Sequence, residues 1–410
     1  MELMTGYKKS TLGVIPIDWN DKALGDIGES LIGLTYRPSE VRKYGTLVLR
    51  SSNVQNGTLC FDDNVFVEAD IPERIMVRPG DILVCVRNGS RDLIGKAALI
   101  DERAIGMTFG AFMGVFRSNC GHFLHHVFQS GIFKKQINEH LGATINQITN
   151  KSLNSFKVSL PPTNEERTKI AKALSDVDVL LAALDKVIAK KRDLKQAAMQ
   201  QLLTGQTRLP GFSGDWEVTR LSALADIRSG GTPSTGEPSF WDGDIPWCTP
   251  TDITALSGYK HLGETARKIT SLGLNASSAE MIPAKSVVMT SRATIGECSI
   301  NLVPVSTNQG FKNFVPYAKT DVDFLYYLLG TQKKGFISLC GGSTFLEIGK
   351  TQLAAYEVWI PSAKAEQTAI AAVLSAMDEE LSVLEQRRNK TADLKQGMLQ
   401  ELLTGRTRLV

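Results

Sequence analysis

Apolar residues recur between Asn164 and Leu209 at alternating spacings of three and four: Ile170, Leu174, Val177, Leu181, Leu184 and Ile188. That spacing sets them along one stripe of a helix. The pattern returns near the end of the chain, where Lys364 to Leu409 carries Ile370, Leu374, Met377, Leu381 and Leu384. Pro161-Pro162 and Pro361 stand just upstream, where proline suits a helix start. Gly205 and Gly405 follow the last periodic leucines, where glycine suits the stop. Each stretch predicts one helix of about 40 residues, a rod of roughly 60 Å at 1.5 Å per residue. Globular helices rarely run so long, so the two rods bury their stripes most simply by pairing as a coiled coil. The competing reading is a helix packed on a globular core.

The two stretches are repeats, offset by 200 residues: Asp193-Leu194-Lys195-Gln196 matches Asp393-Leu394-Lys395-Gln396, and Leu202 to Gly205 matches Leu402 to Gly405. The segments before them share an order of parts. Asp18-Trp19 answers Asp215-Trp216, and Leu24 to Ile27 answers Leu224 to Ile227. Ser90-Arg91-x-x-Ile94-Gly95 answers Ser291-Arg292-x-x-Ile295-Gly296, each after an apolar, strand-like run. Thr108-x-x-x-Phe112 answers Thr307-x-x-x-Phe311. A short helix is expected around Phe123–His140 and again around Phe324–Leu339, with strands at Ser155–Leu160 and Ala355–Ile360 leading into the rods. Strands punctuated by glycine and proline, with one short helix, predict an α+β class. The expected division is 1–160, 161–208, 209–360 and 361–410: module, rod, module, rod. A tandem duplication brings pseudo-two-fold symmetry within reach, which suits a duplex partner or a pair of identical subunits. The rods diverge little and the modules greatly, so the modules are expected to do different versions of one job.

At 410 residues the chain exceeds what one core usually supports, in agreement with two modules. Six scattered cysteines without a C-x-x-C pair support neither a zinc site nor a disulfide framework, and a reducing cytoplasm is expected. No continuous apolar run opens the chain and nowhere do 18 apolar residues stand together, so neither a secretory signal nor a membrane span is expected. The net charge of +3 neither demands nor excludes nucleic acid.

Searching for catalytic motifs yields mainly decoys. Thr344 to Thr351 ends in Gly-Lys-Thr, but threonine stands where a phosphate loop needs glycine, and a strand rather than a helix is expected next. His122, His125 and His126 lack a carboxylate or cysteine cluster at ligand spacing and are expected as solvated helix positions. Binding chemistry remains. Arg87, Asn88, Ser90, Arg91 and Lys96 put guanidinium, amide and ammonium groups on one glycine-bearing loop. Thr232, Ser234, Thr235, Arg292, Thr294, Asn308, Gln309 and Lys312 offer the same mixture in the second module. Asn and Gln pair with adenine edges, Arg and Lys with guanine, Ser and Thr with phosphates. The shared Ser-Arg-x-x-Ile-Gly is read as a turn whose arginine, Arg91 or Arg292, braces the sheet or grips phosphate. Residues that differ between the modules are the better base-reading candidates, and Trp241 and Trp247 are expected as core or platform residues.

Taken together these features resemble the specificity subunit of type I restriction–modification systems, over essentially the whole length. The likeness rests on the repeated rods ending in Leu-Leu-Thr-Gly, on Gly231 to Ser234 with Phe240-Trp241, and on Ile245-Pro-Trp247. Ser291 to Gly296, Thr307 to Phe311, Ile82 to Arg91 and Ile94 to Ala97 complete it. The resemblance implies that each module is a target-recognition domain reading one half of a split double-stranded DNA target. The rods would be spacers that pack antiparallel, fix the gap and dock two modification (methyltransferase) subunits. Those subunits would carry S-adenosylmethionine and methylate adenine N6. Restriction subunits using ATP and Mg would join them in host defence. This chain itself would be non-catalytic, with no cofactor or metal. Open alternatives are an enzyme with unrecognised motifs, a two-module scaffold for protein or carbohydrate, and the specificity chain of a related fused restriction–methylation enzyme.

Overall fold

A computed structural model of the chain describes residues 5–141, 146–340 and 346–410. The chain divides into two compact units: Met1–Asp185 with Gln386–Val410, and Lys186–Glu385. Each unit thus takes part of both long helices, which span Asn164–Leu202 and Lys364–Leu402. Past their ends Gly205 and Gly405 hold φ of +71° and +68°. A side chain there would be strained, which accounts for the repeated Leu-Thr-Gly.

The first unit is built on an antiparallel sheet ordered Ala97–Leu99, Ile82–Cys85, Met113–Arg117, Glu29–Ile32. All four residues of Ile82–Cys85 are buried. Ile82 and Val84 face a core shared with helix Gly121–Gln129, while Leu83 and Cys85 join a second core with Leu47, Leu49 and Phe109. Covering both faces is why this strand reads as an unbroken apolar run instead of alternating. Ile170 and Leu174 of the first long helix, and Leu399, Leu402 and Leu403 of the second helix and its end, lie in the first of these cores.

The second unit repeats the plan on a five-stranded sheet ordered Ala225–Ser229, Phe311–Pro316, Val287–Thr290, Cys298–Asn301, His261–Leu262. Val287 and Met289 face a core holding Ile370, Leu374, Leu202 and Leu203, and Val288 faces the opposite one. Of the remaining stripe residues, Leu184, Ile188 and Leu381 are buried, and Val177, Leu181, Met377 and Leu384 are half-buried.

Polar locks accompany the apolar contacts. In the first unit Arg408 reaches Glu166 (2.9 Å from Nη2) and Asp18 (3.0 Å) and lies over Trp19. In the second, Arg208 reaches Glu366 (2.7 Å), lies over Trp216, and Trp216 Nε1 donates to the same carboxylate. Glu166 and Glu366 are each 1% exposed, so each needs its arginine. The repeated tryptophan and arginine are explained by this lock, whereas the aspartate joins it only in the first unit, through Asp18. Further ion pairs join the helices within each unit: Asp178–Lys395 (2.6 Å) and Asp185–Arg388 (3.0 Å) in one, Lys191–Glu380 (2.6 Å), Arg192–Glu385 (2.6 Å) and Lys195–Asp378 in the other.

Three expectations need correction. Each single short helix is two: Gly121–Gln129 and Gly131–Leu141, then Val322–Thr331 and Lys333–Ser338. A helix, Lys350–Ala355, does follow Gly349, because Gly349 N–H is capped by Gln352 Oε1 (2.8 Å); Thr344 lies outside the described residues. Finally, His125 and His126 are not solvated but 7% and 1% exposed, whereas His122 is exposed. His126 Nε2 lies 3.2 Å from the Ala171 carbonyl and 3.0 Å from Ser175 Oγ, at the start of the first long helix. In the second unit Tyr327 meets Ser375 (3.3 Å) and Asp378 (2.6 Å) on the other long helix in the corresponding way.

Burial, and for His125 also the neighbouring His126, lowers these imidazoles from 6.5 to about 3 (His125) and about 4 (His126). The folded histidines stay neutral while unfolded ones bind protons below pH 6.5, so unfolding takes up protons and stability falls with pH. This contribution is full above pH 6.5 and is lost as pH falls from there to about 4 for His126 and to about 3 for His125. For His126 the loss is on the order of 3 kcal/mol. Thermal unfolding of the full chain between pH 7 and 4.5 should show a falling midpoint. His126→Tyr, which borrows the second unit's residue, should flatten that fall, and an unchanged pH slope would contradict the assignment.

Candidate nucleic-acid interface

Where strand Ile82–Cys85 ends, the first unit opens into a cleft of about 1070 Å³. Its floor is backbone. Leu34 N–H donates to Phe109 O (2.7 Å), Ala111 N–H to Leu34 O (2.9 Å) and Gly110 N–H to Leu49 O (3.0 Å), tying three segments together. Arg87, Asn88, Tyr36, Arg50, Phe112 and Asn146 are among its lining residues. Arg87 and Asn88 of the candidate loop line this cleft, and so do Tyr36, Arg50, Phe112 and Asn146, which the sequence pattern does not single out for binding.

The side chains are not equally available. Asn88 Oδ1 accepts from Ser90 N–H (2.9 Å), so its carbonyl shapes the loop. Lys96 Nζ lies 3.5 Å from Ser51 O, at the rim. Arg91 Nη2 lies 3.4 Å from Asn138 O on helix Gly131–Leu141, a bracing contact. Arg50 pairs with Asp63 (2.8 Å), and its Nε is buried without a partner. Arg87 has its guanidinium carbon 5.3 Å from the centre of the Phe112 ring, and Phe112 is 62% exposed.

The second unit presents a related edge. The loop from Gly230 to Thr235 lies on the turn at Asn308–Gly310: Gly231 N–H donates to Thr307 O (2.9 Å), and Thr232 Oγ1 donates to Gln309 Oε1. Two tryptophans hold this loop, with Trp247 Nε1 donating to Gly231 O and Trp241 Nε1 to Ser234 O (3.0 Å each). Trp247 is buried and Trp241 half-buried, the platform role expected of them, and Arg267 lies 3.9 Å above the Trp241 ring. Ser234, Thr235, Thr294 and Gln309 are exposed, and Thr232 and Asn308 half-buried. Arg292 pairs with Glu347 (2.9 Å). Lys312 is 6% exposed, and its burial pulls the ammonium below its ordinary value. It is placed inside the unit rather than on a phosphate-contacting surface.

The hydrogen bonds also revise which residues correspond. In the first unit Val86 N–H donates to Phe112 O (3.1 Å), Ile148 N–H to Val86 O (2.8 Å) and Gly95 N–H to Cys85 O (2.8 Å). In the second, Ser291 N–H donates to Gly310 O (2.7 Å), Ile348 N–H to Ser291 O (3.1 Å) and Gly296 N–H to Thr290 O (2.9 Å). Arg87 bridges to Gln147 as Arg292 bridges to Glu347. The counterpart of Arg292 is therefore Arg87 and not Arg91. The first unit inserts Asn88–Leu93 where the second has Ala293-Thr294, and both loops close on a glycine, Gly95 or Gly296, at φ +85°. Phe112 and Phe311 are not counterparts either, since Met113 and Phe311 hold the equivalent sheet positions and Phe112 stands opposite Gly310. Sequence matching aligned the letters Ser-Arg and Thr-x-x-x-Phe; only the strand register exposes the insertion.

Fold and site together define a duplicated binding module on long helices, with one scaffold carrying two sets of exposed groups. Comparison with known proteins agrees. A family model described as "Type I restriction modification DNA specificity domain" matches residues 16–191 and again 213–393. The chain belongs to this family and carries its domain twice. The type I restriction enzyme MjaIX specificity subunit of Methanocaldococcus jannaschii is 35% identical over 42% of this chain, an alignment spanning only 40% of that relative. The putative type I restriction enzyme MjaX specificity subunit of the same organism is 26% identical over 98% of this chain and 97% of its own length. The crystal structure of a type-I restriction-modification system S subunit from M. genitalium shares the fold, with a TM-score of 0.60, 15% identity and 98% of both chains covered.

Trp247→Phe keeps an aromatic ring but loses the indole N–H and leaves the Gly231 carbonyl without its buried donor. Denaturant unfolding should register a loss of about 1–2 kcal/mol. No change would mean that the tryptophan does not hold this loop.

Proposed function

We propose that this chain is the sequence-specificity subunit of a type I restriction–modification complex, its two modules each reading one half of a bipartite duplex. The observation that carries the reading is the doubled family domain in which equivalent backbone positions bear different side chains: Arg87 and Phe112 in one, Arg292 with Glu347 and a buried Gly310 in the other. One scaffold with two chemistries is what a split target of unlike halves requires. Lys96, with the exposed Ser90, Ser234, Thr235 and Thr294, is assigned to the phosphate backbone and Gln309 to a base edge, while Arg91 and the Asn308 carbonyl hold their loops.

In this proposal the long helices pair as an antiparallel coiled coil in a pseudo-two-fold repeat and act as a ruler between the half-sites. Support comes from the ion pairs within each unit, whose partners climb along one helix as they descend along the other: Asp178 with Lys395, then Asp185 with Arg388. The remaining helix surface docks two methyltransferase subunits, which bring S-adenosylmethionine and methylate adenine N6. Restriction subunits bring ATP and Mg, and this chain contributes recognition without catalysis or cofactor. No helix among the described residues is long and apolar enough to cross a membrane, and the assigned place of action is the cytoplasm.

The test is an exchange. Replacing 209–360 with the matching segment of a relative should change the duplex selected at one half-site and leave the other half and the gap intact. Binding of both proteins should weaken steeply with salt, linearly in log–log form, as phosphate contacts demand. Changes in both halves would end the modular reading, and binding indifferent to duplex and salt would favour a scaffold for other ligands.

A further inference from the structure

The cleft of the first unit contains two arginines in different states. Arg50 is engaged by Asp63 at 2.8 Å. Arg87 has no carboxylate within ion-pair distance among the described residues; its neighbour is the Phe112 ring, 5.3 Å away. In the second unit both features are reversed, because Arg292 is held by Glu347 at 2.9 Å and glycine, Gly310, takes the place of the phenylalanine. Phe112 is 62% exposed on a turn held by backbone hydrogen bonds, so its ring is presented to a partner in a fixed position beside Arg87.

A guanidinium lying against an aromatic face keeps its planar fork oriented at little entropic cost. That fork matches the O6 and N7 acceptors of guanine in the major groove, the commonest specific arginine contact with DNA. The phenylalanine beside it offers an apolar surface, which suits the C5-methyl group of thymine. We infer that Arg87 and Phe112 form the base-reading pair of the first module, with Arg87 taking a guanine edge and Phe112 the methyl group of a neighbouring thymine. This inference rests on the reading of the chain as a DNA specificity subunit. It assigns base recognition to Arg87, one residue beyond strand Ile82–Cys85, and leaves Arg91, braced on Asn138 O, to position the loop. In the second module, which lacks the stacked pair, the exposed Gln309 stands on the equivalent turn, and Asn308 Oδ1 accepts from Gly310 N–H (2.9 Å) as Asn88 Oδ1 does from Ser90 N–H.

The experiment is selection from a library of randomised duplexes by the full complex, comparing wild type with Arg87→Gln and Phe112→Ala. Arg87→Gln should lose its preference for one guanine in one half-site, with discrimination there falling about ten- to a hundred-fold. Phe112→Ala should lose preference at an adjacent thymine, and in both variants the other half-site and the gap should stay as in wild type. Uniformly weaker binding with unchanged sequence preference would overturn the inference by making Arg87 a phosphate contact. Total loss of binding by a variant that unfolds at the wild-type temperature would overturn it too. Should Arg87→Gln unfold early, Arg87→Lys provides the test, since it keeps the charge and loses the fork; relaxation at the same guanine supports the pair, and none refutes it. Failure of wild type to select any two-part sequence would instead defeat the functional reading itself.

Discussion

Neither module closes its core alone. In the first unit Ile170 and Leu174, near the start of one long helix, meet Leu399, Leu402 and Leu403 from the end of the other. In the second, Ile370 and Leu374 meet Leu202 and Leu203. A buried glutamate at each helix start, Glu166 or Glu366, then holds an arginine from beyond the opposite helix end, Arg408 or Arg208. Apolar burial supplies the stability, and the charged lock fixes the register, because a buried carboxylate tolerates no position of the helix end that leaves it unpaired. Every later feature of the two recognition edges hangs from sheets anchored in this way.

On that anchored framework the two units spend their differences at the ends of equivalent strands. The backbone bonds around Val86 and Ser291 are alike, yet the first unit inserts four more residues after its arginine and sets Phe112 where the second has Gly310. Loops carried on a rigid sheet can vary in this way without disturbing the core, which is why recognition residues concentrate there. The proposed reading of two unlike half-sites calls for such a division between shared scaffold and variable edge.

The long helices are the most legible part of the chain, since a three-and-four spacing over dozens of residues marks a helix and the glycine stops are local chemistry. The spacing alone does not decide between pairing and packing on a core, where the helix ends in fact lie. The duplication was equally plain at the rods. The site was only partly legible. Arg87 and Asn88 could be marked from their residue types, but the insertion of Asn88–Leu93 made Arg91 look like the partner of Arg292, and only strand pairing corrected it. Lys312 looked like a surface cation and is buried; His125 and His126 looked solvated and pack beneath the first long helix. Arg50, Arg267 and Tyr36 came into view only in three dimensions, because each meets its neighbours from a distant segment.

The most direct measurement is a genome-wide map of N6-methyladenine in cells carrying this chain with the methyltransferase proposed to partner it, set beside cells in which only this chain is deleted. The account predicts a methylated two-part motif with a fixed unspecified gap that disappears on deletion. A methylation pattern untouched by deletion, with the methyltransferase demonstrably active, would contradict it.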